Sequence, residues 1–193
     1  PQALISSIKL LRDKNGKEII NTAGFIRKGN FLKIFSPLAG DVLDSNNLPE
    51  ILTRDILTGA SLLIPCQVFN KIGLFNAKNY PHNWGDFEFT LRASVNGFTC
   101  LVASRSKIYV DGYNPNYYTN YAINSSRVEY LKNLFESHKY NYGFSALWRQ
   151  CFMHRPKAKA LILFSWRLMG ILRGILFKIF MPQNAFKSYI ENR

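Results

Sequence analysis

The chain has 193 residues, 47% of them hydrophobic, enough for one cored domain and an appendage. Its 25 basic against 12 acidic residues give a formal charge of +13, which points to an anionic partner. Cys66, Cys100 and Cys151 are far apart, odd in number and without Cys-x-x-Cys spacing, so they support neither a disulfide framework nor a zinc site and read as reduced cytosolic thiols.

Ala3–Leu11 is apolar and partly alternating, and reads as a strand. Arg12-Asp13-Lys14-Asn15-Gly16 is a turn, because Asn-Gly reaches positive φ at little cost, and Glu18–Ile26 reads as the return strand. Lys28–Pro49 mixes Gly, Asn, Asp, Ser and Pro and reads mostly as loop. Ile56–Ile64 reads as a strand; Pro65 opens a short helix and Gly73 closes it. Leu74–Trp84 is loop-like. From Asp86 to Val95 the spacing predicts a helix, with Phe87, Leu91 and Val95 in one row, Phe89 and Ala93 in another, and Asn96-Gly97 as its stop. Phe98–Ala103 and Ser106–Val110 are expected strands. Asn114–His138 is rich in Tyr and Asn and carries helical rows through Val128, Leu131, Leu134 and Phe135. A boundary near Gly112–Asn120 divides the chain into an α/β part, 1–112, and a helical basic part, 113–193.

The charge is uneven. From Lys139 to Arg193 there are ten basic residues and one acid, Glu191, so that stretch alone carries +9. Ala158–Met181 within it is apolar but contains Arg167, Arg173 and Lys178, too many charges for a simple spanning helix. We expect a basic amphipathic helix in a membrane interface, its apolar side down and its basic side towards lipid headgroups, ended by Pro182. The competing reading is a helix packed on the domain.

Asp86 and Glu88 open the predicted helix, where acidic residues also stabilise the N-terminus electrostatically. Trp84 and Gly85 precede them, and Arg92 lies one turn after Glu88. A carboxylate beside an aromatic platform is equipped to take a proton from a sugar hydroxyl while the ring stacks on the sugar. Gly59 and Ala60 in Thr58-Gly59-Ala60-Ser61 let a backbone approach a ligand closely, and His82 is a further candidate ligand contact. No Ser/His/Asp set, Walker motif or Gly-x-Gly-x-x-Gly run is recognisable.

Leu57-Thr58-Gly59-Ala60-Ser61-Leu62-Leu63-Ile64-Pro65, then Phe69–Asn76, then Trp84–Ala93, then Asn96-Gly97-Phe98 form an ordered series. The series resembles the second half of family 2 glycosyltransferases, especially the rhamnosyltransferase-like branch, over about Leu57–Val110. The resemblance implies the C-terminal half of a GT-A fold followed by the helical extension. It also implies a nucleotide-diphospho-sugar donor, a divalent metal (Mn or Mg), inversion at the anomeric carbon, and a glycan or lipid-linked acceptor. Asp86 matches the family's base and Glu88 its second acidic position, which would orient Arg92 or the acceptor. Gly59 and Ala60 match the strand lining the sugar site. Gly85 stands where the family has an acid. Asp111 stands where it often has a metal-binding histidine, and is the candidate metal ligand.

The family's nucleotide-binding strands and Asp-x-Asp metal motif precede the region matched by Ala3, and no Asp-x-Asp occurs in these residues. The chain starts at Pro1, and we expect no signal peptide there. We therefore expect a fragment that is inactive by itself, with most of the metal site in a missing N-terminal half. The expected location is peripheral, on the cytoplasmic face of the cell membrane, in cell-surface polysaccharide synthesis. The rival readings are a non-catalytic membrane scaffold and a nucleic-acid-binding module. The second is disfavoured: Tyr113, Tyr117, Tyr118 and Tyr121 could stack bases, but no nucleic-acid-binding signature accompanies them.

Overall fold

Alternation along Ala3–Arg12 buries Leu4, Ser6, Ile8 and Leu10 on one side of the central strand β1 of the computed structural model. The structure describes residues 3–13, 15–29, 33–44, 47–80, 84–110, 123–136 and 144–191. His82, Asp111 and the aromatic cluster from Tyr113 to Tyr121 lie outside the described residues. The chain divides into two compact units, Pro1–Tyr113 and Asn114–Arg193.

In the first unit the turn after β1 forms as expected. Asp13 accepts the amides of Asn15 and Lys17, both at 2.8 Å, and Gly16 has φ 77°. β2 (Glu18–Thr22) returns antiparallel to β1. The expected strand Glu18–Ile26 is cut at Gly24, whose φ is 76° and where a Cβ would lie 2.6 Å from Arg54 Cγ. Beyond the break, β3 (Ile26–Lys28) pairs with β4 (Lys33–Phe35) in a separate two-stranded sheet, inside the stretch expected to be loop. β5 (Ile51–Arg54) was not expected. Of the expected strand Ile56–Ile64, β6 (Leu62–Leu63) and a single bridge from Ile56 to Phe25 remain.

α1 (Cys66–Ile72) follows Pro65 and ends at Gly73, with φ 77°. α2 (Gly85–Val95) and β7 (Thr99–Tyr109) complete the unit. The main sheet is mixed, in the order β2-β1-β7-β5. β1 and β7 are parallel, with an irregularity where Ser7 pairs Ala103 and Ile8 pairs Lys107. On its other edge β1 changes partner: β6 pairs Ile5 and Ser6, whereas β2 pairs Lys9 to Arg12. The edge therefore forks at Ser7 and Ile8. Leu4, Ile8 and Leu10 pack with Val68 of α1, Phe89 and Ala93 of α2, and Cys100 and Val102 of β7. Burial in this core pushes the Cys100 thiol up to about 12, with Asp55 adding to the effect. The architecture is mixed α/β.

The second unit is helical: α3 (Arg127–Glu136), α4 (Phe144–Phe152), α5 (Lys157–Phe180) and α6 (Gln183–Glu191). Pro182 ends α5 and also opens α6, where the Phe186 amide bonds the Pro182 carbonyl at 3.0 Å. α5 is long and apolar enough to cross a membrane, with a mean hydropathy of 1.7.

At one basic residue, Lys178, α5 departs from the expected arrangement, in which the basic side met headgroups. Ala160, Gly174 and Lys178 are its buried residues. Lys178 is 7% exposed, donates to the Ile123 carbonyl at 3.1 Å and lies over the Phe186 ring at 4.8 Å. Arg167 reaches Gln150 at 3.1 Å. Gly174 admits the Tyr130 hydroxyl, which would be 3.3 Å from a Cβ there. The aromatic neighbours and the missing Cβ thus draw Lys178 inward, whereas Lys157, Lys159, Arg167 and Arg173 stay exposed. Ile162, Trp166, Met169, Leu176 and Phe180 are exposed as well.

Candidate functional site

Helix α2 begins under strain. Trp84 caps it in the left-handed region, at φ 69° and ψ 3°, which costs a non-glycine residue on the order of 1 kcal/mol or more. Such conformations persist where packing over-determines them. Here the indole meets Phe87 edge-on, with centroids at 4.7 Å, and Phe87 packs on Phe25 at 4.6 Å. The buried indole Nε1–H has no hydrogen-bond partner among the described residues. A ligand oxygen would satisfy it.

Asp86 follows in the first turn. One carboxylate oxygen accepts the Gly59 amide at 2.6 Å and the other accepts the Phe87 amide at 2.9 Å. Gly59 makes this approach easy: a Cβ there would lie 3.1 Å from Asp86 Cβ, and one of the two would have to give by a few tenths of an ångström. One turn on, Thr90 ties the same side of α2 to the chain before Gly59. Its hydroxyl accepts the Leu57 amide at 3.1 Å and lies 2.8 Å from the Asp86 carbonyl, to which it donates. The sequence reading missed Thr90; its spacing of four from Asp86 was the available signal. The structure thus brings Asp86, Gly59 and Trp84 together. Ala60 is exposed beside Gly59.

Glu88 and Arg92 lie on another side of α2. The Arg92 guanidinium grips Glu88 through Nε at 2.9 Å and Nη2 at 3.1 Å. It also donates to the carbonyls of Ile72 and Leu74, the latter at 2.9 Å. Glu88 is 5% exposed. This pair braces the connection from α1 to α2, assisted by Phe75 stacked on Phe89 at 4.3 Å. Glu88 does orient Arg92, and the fork of Arg92 is engaged with main-chain carbonyls.

Lys9 was not singled out in the sequence, where it reads as one polar residue on an alternating strand. It is partly buried, and desolvation holds its pKa below the usual lysine value, opposed by the nearby Asp86 charge. Among the described residues no three His, Cys, Asp or Glu side chains converge on a possible cation site. Asp86 belongs to no such group, and its two oxygens each accept an amide.

No protein-family model matches the chain, and no curated protein matches it significantly.

Proposed function

We propose that this chain forms the acceptor side of a GT-A-type, inverting glycosyltransferase active site, with Asp86 as the base. The observation that carries the reading is the Asp86 carboxylate, pinned by the amides of Gly59 and Phe87 beside a strained Trp84 whose indole N–H has no partner among the described residues. Each carboxylate oxygen accepts one amide and keeps a second lone pair for a substrate hydroxyl. Two fixed donors also prevent the carboxylate from swinging, which preserves the short approach that proton transfer needs.

In the proposed step the acceptor oxygen attacks the anomeric carbon of a nucleotide-diphospho-sugar. The bond from that carbon to the diphosphate oxygen breaks, and the nucleoside diphosphate leaves with the electron pair. The acceptor proton passes to Asp86, and the configuration inverts. Trp84 lines the sugar. Glu88 and Arg92 act as positioning residues through the Ile72–Leu74 segment. Donor and divalent-metal binding belong to residues other than those described, in keeping with the absence of an Asp-x-Asp sequence, and the chain alone is inactive.

The same reading assigns the second unit to the anionic cytoplasmic face of a membrane, with a lipid-linked glycan as acceptor. The exposed apolar stripe of α5 and the excess of basic residues after Lys139 support it. The test is a panel of UDP-, GDP- and dTDP-sugars offered to the native polypeptide with a polyprenyl-diphosphate-sugar acceptor and manganese. Nucleoside diphosphate release and a product of inverted anomeric configuration are expected. A product of retained configuration would refute the proposed step. Turnover by the 193-residue chain alone would refute the division of donor and acceptor sides.

A further inference from the structure

The fork in the edge of β1 contains a group of side chains that the transfer step does not use. β6 runs antiparallel to β1, with Leu62 opposite Ser6. Continuing that register sets Ser61 opposite Ser7, and the Ser7 and Ser61 hydroxyls are indeed 2.9 Å apart. On the other side of β1 the irregular pairing with β7 brings the Ser106 hydroxyl 2.7 Å from Ser7. Three hydroxyls carry three protons, and the two contacts between them use two. No described residue takes the third, so among the described residues one O–H is left without an acceptor.

Lys9 stands two residues beyond Ser7, on the same face of β1, where the edge has passed to β2. Its ammonium is partly buried and makes no hydrogen bond or ion pair with any described residue. Partial burial of a cation that has no partner among the described residues is unfavourable, and a bound anion would offset that cost. Asp86 is near enough for the two charges to interact, yet not paired with Lys9. A ligand with a hydroxyl at Asp86 and an anionic group at Lys9 would match both.

We infer that the fork between β2 and β6 is an anion subsite in which Lys9 and the Ser7–Ser61–Ser106 hydroxyls bind a phosphate group of the acceptor. The ligand chemistry is a phosphate ester next to a sugar hydroxyl, whether a soluble sugar phosphate or a sugar diphosphate on a lipid. The acceptor assignment rests on the glycosyltransferase reading; the subsite itself does not. A lysine-to-phosphate bond is charge-assisted, and its loss weakens binding about ten- to a hundredfold.

The test titrates the folded 193-residue chain, by NMR and calorimetry, with inorganic pyrophosphate, α-glucose 1-phosphate and farnesyl diphosphate. Saturable binding that shifts the Gly59 and Ser61 amides is expected. Lys9→Gln weakens it at least about tenfold, and Lys9→Arg restores most of it. Ser7→Ala, which breaks the hydroxyl chain, weakens it by a smaller factor. Glucose 1-phosphate binding alone reports a soluble ester; preference for farnesyl diphosphate reports a lipid-linked one. Equal affinity of Lys9→Gln and the unaltered chain, with both folded, overturns the subsite. Because binding is read without turnover, failure of Asp86 as base leaves this result standing, and the reverse also holds.

Discussion

Arg92→Met keeps the aliphatic stem and removes the guanidinium that joins Glu88 to the Ile72 and Leu74 carbonyls. Deleting one partner of a buried ion pair costs about 3–5 kcal/mol, because the other charge stays desolvated. The Arg92 side chain is 18% exposed and that of Glu88 6%, so water screens the pair partly and the lower end applies. Water also replaces the exposed bond to Leu74, which adds little. The expected loss is about 3 kcal/mol, a large share of the ~5–15 kcal/mol that holds a domain together. Glu88→Gln/Arg92→Met removes both charges, and should recover about 1–2 kcal/mol of it. Trp84 is the one tryptophan of the first unit, so urea unfolding followed by its fluorescence, in a Trp148→Phe/Trp166→Phe background, reads this unit separately. An Arg92→Met variant within about 0.5 kcal/mol of its parent would refute the brace and return Arg92 to the substrate.

Gly59→Ala presses a methyl group against Asp86 at 3.1 Å, and is expected to cost about 1–2 kcal/mol in thermal unfolding while lowering turnover; an unchanged melting curve and rate would deny the close approach. Lys9→Met should stabilise the fold at neutral pH. The folded pKa of Lys9 is depressed below the unfolded value near 10.5, so the buried charge is a cost below the folded pKa, and the unaltered chain regains stability as pH rises through that window. The advantage of Met must therefore shrink towards pH 10.5, and an advantage that grows there would contradict the sign. In α5, Trp166 and Phe180 are 75% and 77% exposed, so Trp166→Ser/Phe180→Ser leaves the helical packing intact. At about 2 kcal/mol for each large side chain taken out of water, binding to phosphatidylglycerol vesicles should fall at least ~100-fold. Unchanged vesicle binding would remove the lipid-facing stripe from the account.

The sequence was most legible where a signal is local. The Asn-Gly turn, the helix from Pro65 to Gly73 and the Glu88–Arg92 pair all follow from spacings of a few residues. Long-range placement was less legible. Gly59 and Asp86 are 27 residues apart, and their contact follows from how α2 docks, which no periodicity encodes. Gly24 read as an interior residue of a strand because its conflict is with Arg54, 30 positions away, and so the β3–β4 hairpin was hidden. For α5, periodicity separated a basic side from an apolar one but could not show that Lys178, alone among its basic residues, is covered. Tyr130 and Phe186, flanking Lys178 from other helices, decide that. Lys9 gave no signal at all, because its significance comes from an edge divided between two partner strands.

The central claim concerns one carboxylate, and Asp86→Asn tests it most directly. Asparagine keeps the shape and can still accept the Gly59 amide, but it cannot take a proton. In the native polypeptide with its donor and acceptor, the account predicts that kcat falls about 10²–10⁴-fold while the acceptor KM stays within about threefold. An Asp86→Asn enzyme that kept a tenth or more of the original kcat would contradict it.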